Sequence, residues 1–133
     1  MRRQFQLPQG DGIALDATKL HWESINDRGA CWVILHDRPL PAGFNLTRTG
    51  MALLVPPMYP DSQLDSVWLS PCPRPLNGRP LFPLTEYRVD GRSWFRLCRH
   101  RTKENPWRAG VDDIAAHLAL VDQWLLQSLA RRS

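Results

Sequence analysis

A proline-rich stretch most restricts what this chain can fold into. Five prolines and Gly78 lie within the stretch from Pro71 to Pro83. Proline fixes φ and lacks a backbone N–H donor, so this stretch cannot continue a helix or a central strand. We therefore predict a long structured loop, of the kind that usually serves a site in a compact domain.

Four apolar stretches before this loop predict β-strands. Turn residues from Asn26 to Gly29 separate the first two stretches, which predicts a hairpin. Pro56 and Pro57 end the third stretch. The first twenty residues are interpreted as a lead-in with one short helical turn, Ile13–Thr18. The predicted strands are Leu20–Ile25, Cys31–Leu35, Leu46–Val55 and Val67–Leu69.

The last part of the chain predicts one long helix. Asp112 and Asp113 stand where acidic residues favour a helix start. The expected fold class is α+β, with a four-stranded antiparallel meander, the proline-rich loop and a long C-terminal helix. The apolar residues at helical spacing are Ile114, Leu118, Val121, Leu125 and Leu129.

Length and composition predict one domain across residues 1–133. Of the 133 residues, 43% are hydrophobic and 23% charged, which is an ordinary globular composition. No apolar run approaches the roughly 20 residues that a membrane-spanning helix needs, and no signal-peptide pattern is present. We therefore expect a cytoplasmic protein that engages no membrane.

The cysteines and histidines form no pattern typical of a disulfide framework or a metal site. The three cysteines lack Cys-x-x-Cys spacing, and His21, His36 and His117 are scattered over predicted strands and the helix. We predict free thiols, no metal and no cofactor. Cys31 is interpreted as a small buried residue of the core.

Cys98 is the residue whose surroundings point to chemistry. Six basic residues and a single acid, Glu104, lie in the segment from Arg92 to Arg108, and the chain has a net charge of +4. Nearby positive charge lowers a thiol pKa from its reference of about 8.5 and favours the reactive thiolate. The same cluster could attract phosphate or an acidic protein face, or form a solvated surface. Cys72, between two prolines, is the rival nucleophile.

Four short motifs follow one another in an informative order. Leu40–Asn45 reads Leu-Pro-Ala-Gly-Phe-Asn, and Met58–Asp61 places a Tyr-Pro pair after the third predicted strand. Trp94–His100 and Asn105–Arg108 come next, just before the predicted helix. This order resembles the ubiquitin-conjugating fold, and in particular its prokaryotic family E. The resemblance covers the chain from about Leu7 onward, and the order and spacing together make it specific.

The resemblance implies that Cys98 accepts a ubiquitin-like protein as a thioester from an activating enzyme and passes it to an amine of a target protein. It also implies that Arg96, Arg99 and Arg101 stabilise the thiolate or a developing oxyanion. His100 comes two residues after Cys98, and on an extended segment this spacing is expected to point both side chains to the same side. It is a candidate for deprotonating the incoming lysine or orienting the site, and its alternative role is to shape the local charge.

The sequence departs from the pattern of conjugating enzymes after the fourth strand. Those enzymes carry His-Pro-Asn there, with the Asn amide near the thioester oxyanion, whereas Ser70–Pro73 reads Ser-Pro-Cys-Pro. Asn77 or Asn105 could supply the amide from elsewhere. We also expect reduced N-terminal and C-terminal helices, which leaves the docking surface for the activating enzyme open.

Three functions from different classes stay open. The first is the transferase, which the resemblance associates with a bacterial operon for ubiquitin-like conjugation and with defence against phage. The second is a non-catalytic scaffold of the same fold that only binds a ubiquitin-like protein, and the presence of Cys98 favours chemistry over it. The third is a small nucleic-acid-binding domain, which is disfavoured because basic and aromatic residues do not alternate on the strands.

Overall fold

The computed structural model of the chain describes residues 1–79, 81, 84–98 and 101–130, apart from the side chain of Leu84. Within these residues, six strands form one antiparallel sheet in the order β1-β2-β3-β4-β6-β5. The elements are α1 (Gln9–Ala17), β1 (Trp22–Asp27), β2 (Ala30–Pro39), β3 (Arg48–Val55), β4 (Val67–Ser70), β5 (Leu84–Val89), β6 (Arg92–Leu97) and α2 (Ile114–Ala130).

The predicted hairpin and the four predicted strands are confirmed. Arg28 and Gly29 join β1 to β2 and have positive φ values of 52° and 83°. A two-residue turn of this kind matches the right-handed twist of the flanking strands. Asp27 pairs with Ala30 across it. The strand ends differ from the prediction by a few residues, most of all in β2, which continues to Pro39.

The expected four-stranded meander is wrong, because β5 and β6 add a second hairpin. Val89 pairs with Arg92 across Asp90 and Gly91, whose φ values are 55° and 72°. Asp-Gly between alternating residues is a strong hairpin signal, and the sequence contains it. Leu97 lies opposite the first residue of β4, so β6 lies between β4 and β5 and the meander is interrupted.

Helix α1 is longer than the predicted turn. It covers Gln9–Ala17, whereas the sequence predicts only Ile13–Thr18. Its two glycines are weak helix formers, so local propensity does not favour the first turn. Asp11 and Leu15 are buried against the rest of the protein, and this packing stabilises the helix.

The predicted C-terminal helix is confirmed as α2. Asp113 Oδ1 accepts a hydrogen bond of 2.9 Å from the backbone N–H of Ala116, which caps the start of the helix. One side of α2 packs on the sheet. The buried apolar residues on that side are Ile114, Leu118, Val121, Trp124 and Leu125.

The sheet buries apolar side chains on both faces. The helices cover the larger cluster, whereas the smaller cluster on the other face contains no helix residue. Trp32, Trp68 and Trp94 form the centre of the smaller cluster, together with Ile25 of β1 and Val89 of β5. β1 and β5 are the two edge strands of the sheet, and both contribute to this cluster because the sheet curls over this face.

Arg2 connects the two ends of the curled sheet. Its guanidinium donates hydrogen bonds of 2.9 and 2.6 Å to the Asp90 carboxylate in the β5–β6 turn. Its Nε donates one of 2.5 Å to Glu23 Oε2 in β1, and Glu23 Oε1 lies 2.8 Å from His36 Nε2. The hydrogen bond from Arg2 is the largest cause that lowers the pKa of Glu23 to about 2, from an ordinary 4.5.

Replacing Glu23 with Gln is expected to lower the free energy of unfolding near neutral pH by about 1–2 kcal/mol, because Arg2 and His36 lose a charged acceptor. The pKa of Glu23 is lower in the folded chain than in the unfolded chain. Its carboxylate therefore stabilises the fold above pH 4.5, and this contribution disappears as the pH falls toward 2.

Urea denaturation at about pH 7, about pH 5 and about pH 3 measures this contribution. Glu23→Gln should lose less stability than the wild type between about pH 5 and about pH 3. Asp61→Asn, which removes an exposed carboxylate, is the control and should follow the wild type. A Glu23→Gln variant that also followed the wild type would contradict the proposed role of this carboxylate.

The Leu40–Asn45 motif holds the proline-rich loop. The backbone N–H of Asn45 donates to the Arg74 carbonyl at 2.9 Å, and Asn45 Oδ1 accepts from the Arg74 N–H at 2.8 Å. The N–H of Leu76 donates to the Gly43 carbonyl at 2.8 Å. The described residues of this loop contain no helix or strand and are fixed by these bonds, as the prediction of a structured loop requires.

Gly43 and Gly78 offer a matched test of this packing. Gly43 has a φ of 118°, and a Cβ there would lie 3.1 Å from two methyl carbons of Leu129 in α2, whereas Gly78 has a φ of 82° and open space around it. Alanine strains the backbone at both positions, but only Gly43→Ala also presses on α2. We expect Gly43→Ala to cost about 1–2 kcal/mol more than Gly78→Ala in urea denaturation. Equal losses would contradict close packing of Gly43 on α2.

Candidate active site

Cys98 follows the last residue of β6 and is half-buried. Its neighbour Leu97 lies opposite Val67, the first residue of β4. The antiparallel register therefore places Cys98 at the level of Ser66. The thiol is thus at the end of the sheet where β6 finishes and β4 begins.

Arg96 lies on the face of the tryptophan cluster, close to this end of the sheet. Its guanidinium carbon is 5.7 Å from the centroid of the Trp68 ring. Its nitrogen atoms donate to Tyr87 Oη at 3.3 Å and to Ser66 Oγ at 3.4 Å. Because Ser66 is level with Cys98, the guanidinium is held in the neighbourhood of the thiol. The support of a thiolate by Arg96 stays a prediction.

Two predicted site residues, Arg99 and His100, lie outside the described residues, so their predicted roles stay predictions. The chain is described again from Arg101, which binds the second turn of α2. An Arg101 guanidinium nitrogen donates to His117 Nδ1 at 3.0 Å, and the guanidinium carbon lies 5.0 Å from the ring centroid of Trp107. Burial is the largest cause that lowers the pKa of Arg101.

His117 connects Arg101 to the start of β4. Arginine only donates, so Nδ1 of His117 accepts and the ring proton is on Nε2, which donates to the Ser66 carbonyl at 2.8 Å. The imidazole is fully buried, and burial lowers its pKa to about 4 from an ordinary 6.5. The neutral ring is therefore the form that completes the Arg101–His117–Ser66 chain, which ties the segment after Cys98 to α2 and β4.

Asp11 of α1 holds the beginning of α2. Its Oδ1 accepts from the backbone N–H of Ile114 at 3.1 Å, one of the donors that a helix start leaves without an internal partner. Its Oδ2 accepts from Tyr59 Oη at 2.7 Å, and burial together with this carboxylate raises the pKa of Tyr59. Trp107 packs beside the Tyr59 ring and donates from Nε1 to the Pro60 carbonyl at 2.9 Å.

The two asparagines considered for oxyanion support lie in different places. Asn105 is exposed on the segment between Cys98 and α2, where its backbone N–H donates to the Thr102 carbonyl. Asn77 lies on the proline-rich loop, and its Oδ1 accepts from the backbone N–H of Arg79 at 2.9 Å in a local turn. Only Asn105 shares a segment with the predicted nucleophile.

Cys72 lies beyond the opposite end of β4 from Cys98. The four residues of β4 span about 10 Å, so the two thiols are separated by more than about that distance. Cys72 is half-buried, and burial raises the pKa of its thiol although Arg74 acts in the opposite direction. The Ser70–Pro73 stretch, which stands where conjugating enzymes have His-Pro-Asn, is therefore not brought together with Cys98.

The predicted basic cluster is also divided between the ends of β6. Arg92, at the start of β6, donates to the carbonyl and hydroxyl oxygens of Ser70 at 2.6 and 2.9 Å. Arg108 pairs with Asp112 at 3.2 Å, next to the start of α2. One stretch of sequence thus supplies two separate surfaces.

Cys31 is half-buried, whereas the sequence predicts a small buried residue of the core. It packs against the larger cluster, and its Sγ donates to Asn26 Oδ1 at 3.1 Å across the first hairpin. The exposed hydrogen-bonding partner explains why the side chain is only partly covered.

A comparison with protein families tests the resemblance that the order of the four motifs indicates. The model of prokaryotic E2 family E matches residues 7–128. The chain belongs to this family. No curated protein and no solved structure matched the chain. Membership of prokaryotic E2 family E supports a conjugating-enzyme type of function, with a ubiquitin-like protein and an activating enzyme as the general kinds of partner.

The part of this E2 family E chain that the structure describes has no helix long and apolar enough to cross a membrane. It also has no group of three or more His, Cys, Asp or Glu side chains that could hold a metal ion.

The sequence analysis missed two residues that hold the site, His117 and Asp11. A signal exists for His117, because it lies on the same helical face as Ile114 and Val121, and a polar residue among core positions predicts a buried partner. No such signal exists for Asp11. The helix that buries it is itself too weakly marked in the sequence.

His117→Gln is expected to lower the free energy of unfolding at about pH 7.5 by about 1–3 kcal/mol, because Arg101 and the Ser66 carbonyl lose a buried partner. The pKa of His117 is about 4 in the folded chain and about 6.5 in the unfolded chain. As the pH falls from 6.5 toward 4, the unfolded chain takes up this proton first and the wild type loses stability.

Urea denaturation across this pH range tests the neutral state of the imidazole. His117→Gln should lack the part of the pH dependence that His117 contributes, whereas His21→Gln, at an exposed histidine, should keep the wild-type dependence. If His117→Gln kept the wild-type dependence, the buried neutral imidazole would be the wrong description.

Proposed function

We propose that this E2 family E protein carries a ubiquitin-like protein as a thioester on Cys98. The Cys98 thiolate attacks the carbonyl carbon of the thioester on the activating enzyme, a new C–S bond forms, and the thiol of the activating enzyme leaves. An amine of the target protein then attacks the same carbon, loses a proton and displaces the Cys98 thiolate. Each step exchanges one acyl bond for another, so no redox partner is needed.

One observation carries the choice of Cys98. Its thiol is half-buried at the end of a strand, on a segment that the Arg101–His117–Ser66 chain ties to the body of the protein. Such a thiol is accessible yet positioned, which covalent transfer requires. The rival thiol of Cys72 is disfavoured because burial raises its pKa and reduces the thiolate fraction.

Asn105 is the side chain that we propose for oxyanion support. Its amide has no hydrogen-bond partner among the described residues, and it lies on the segment that follows Cys98. Other donors of this segment already have partners. Arg101 donates to His117, and the backbone N–H of Arg108 donates to Asp112 at 2.7 Å. We keep His100 as the proposed base for the incoming amine, and Arg96, Arg99 and Arg101 as the proposed source of positive charge.

A second carrier is favoured by one observation. Cys72 is the second residue after β4 and so stands where conjugating enzymes have the asparagine that lies near the thioester. If the reaction takes place at that end of the sheet, Cys72 is the thiol that the structure offers there. The experiment must therefore treat both cysteines alike.

The reaction is tested by mixing the protein with its activating enzyme, the ubiquitin-like partner and ATP, and by running gels with and without reductant. We expect a reductant-sensitive adduct that is lost in Cys98→Ala and kept in Cys72→Ala and Cys31→Ala. Asn105→Ala should leave the adduct in place and slow its discharge to free lysine about 100–1,000-fold, as loss of one oxyanion donor does elsewhere.

The other outcomes decide between the alternatives. Loss of the adduct in Cys72→Ala alone would move the carrier to the end of β4. Absence of an adduct in every variant, while the ubiquitin-like protein is still bound, would support the non-catalytic scaffold. We place the reaction in the cytoplasm, and on the family resemblance we propose an operon for ubiquitin-like conjugation that acts in defence against phage.

A further inference from the structure

Three arginines lie at the end of the sheet that is remote from Cys98. Here β3 begins, β4 ends and β6 begins, as the pairing of Gly50 with Ser70 shows. We call this surface the basic end. Its arginines are Arg92 beside Ser70, and Arg74 and Arg79 on the proline-rich loop.

The charges of the basic end are not neutralised by carboxylates. Arg92 donates to Ser70, and the guanidinium groups of Arg74 and Arg79 have no hydrogen bond or ion pair within the described part of the chain. Elsewhere the protein does pair its arginines with acids, namely Arg2, Arg38 and Arg108. Other arginines, Arg96 and Arg101 among them, also have uncharged partners, but Arg74 and Arg79 lie together on one loop and border one depression.

The basic end is also concave and partly apolar. Arg74, Arg79 and Leu76 border an open depression of about 500 Å³, and the Leu76 side chain is 71% exposed. The loop that carries them is held by backbone bonds to Gly43 and Asn45, so the three side chains project from a fixed support. The depression therefore offers a partner one exposed apolar side chain and two positive charges.

We propose that the basic end binds an acidic segment of a partner protein that also carries an apolar side chain. The carboxylates of the segment complement Arg74 and Arg79, and its apolar side chain covers Leu76. A nucleic acid fits less well, because single strands bind through exposed aromatic rings and the tryptophan beside Arg92, Trp94, is buried. The surface lies more than about 10 Å from Cys98, so the proposal does not depend on thioester chemistry.

Fluorescence anisotropy with a labelled dodecapeptide of glutamates and two leucines tests the proposal on the full-length Cys98→Ser variant. We expect the Arg74→Gln/Arg79→Gln pair to weaken binding about fivefold or more, and Leu76→Ser to weaken it as well. The matched control is Arg28→Gln/Lys103→Gln, which removes the same charge from exposed residues outside the basic end and should change binding less than twofold.

Three outcomes would overturn the proposal. Equal weakening by both pairs would show that only net charge matters, and unchanged binding in Arg74→Gln/Arg79→Gln would place the peptide elsewhere. Tighter binding of an oligothymidylate of equal charge, lost in the same pair, would assign the basic end to nucleic acid. Because the assay contains no activating enzyme, failure of the thioester reaction leaves its result intact.

Discussion

The antiparallel pairing of β4 with β6 determines where the candidate groups of this protein lie. Leu97 stands opposite the start of β4, which brings Cys98 to that end and Arg92 to the other. Trp94 and Leu97 are buried in different clusters on opposite faces. A slip of one residue would exchange these faces, so burial of both side chains fixes the register. The separation of Cys98 from Cys72 and the division of the basic residues both follow from it.

Features with local signals could be predicted from the sequence. The Arg28–Gly29 turn, the prolines of the loop and the apolar spacing of α2 are each contained within a few residues, and the structure confirms all three. The order of short motifs was enough to indicate prokaryotic E2 family E. The Asp90–Gly91 turn carried an equally local signal, so the missed hairpin was within reach of the same reasoning.

Features that depend on distant contacts could not be predicted. Asp11 caps Ile114 across 103 positions of sequence, and Arg2 binds Asp90 across 88. Each contact joins segments whose composition does not predict a contact. Helix α1 forms because the packing of its buried side outweighs the low helix propensity of its two glycines. The sequence also shows a basic cluster around Cys98. In the structure this cluster is divided into two surfaces, because the two ends of β6 lie at opposite ends of the sheet.

The choice of histidine as the partner of Arg101 has a consequence for the thiol nearby. A guanidinium that is partly buried needs an acceptor, and a carboxylate would be the usual one. A carboxylate beside the Cys98 segment would oppose formation of a thiolate, because like charges destabilise each other. The neutral imidazole of His117 accepts the hydrogen bond without adding a negative charge, and its second nitrogen is satisfied by the Ser66 carbonyl. Arg101 is thus held by an uncharged partner on the segment that leads from Cys98 to α2, while the carboxylates of Asp112 and Asp65 act on its charge.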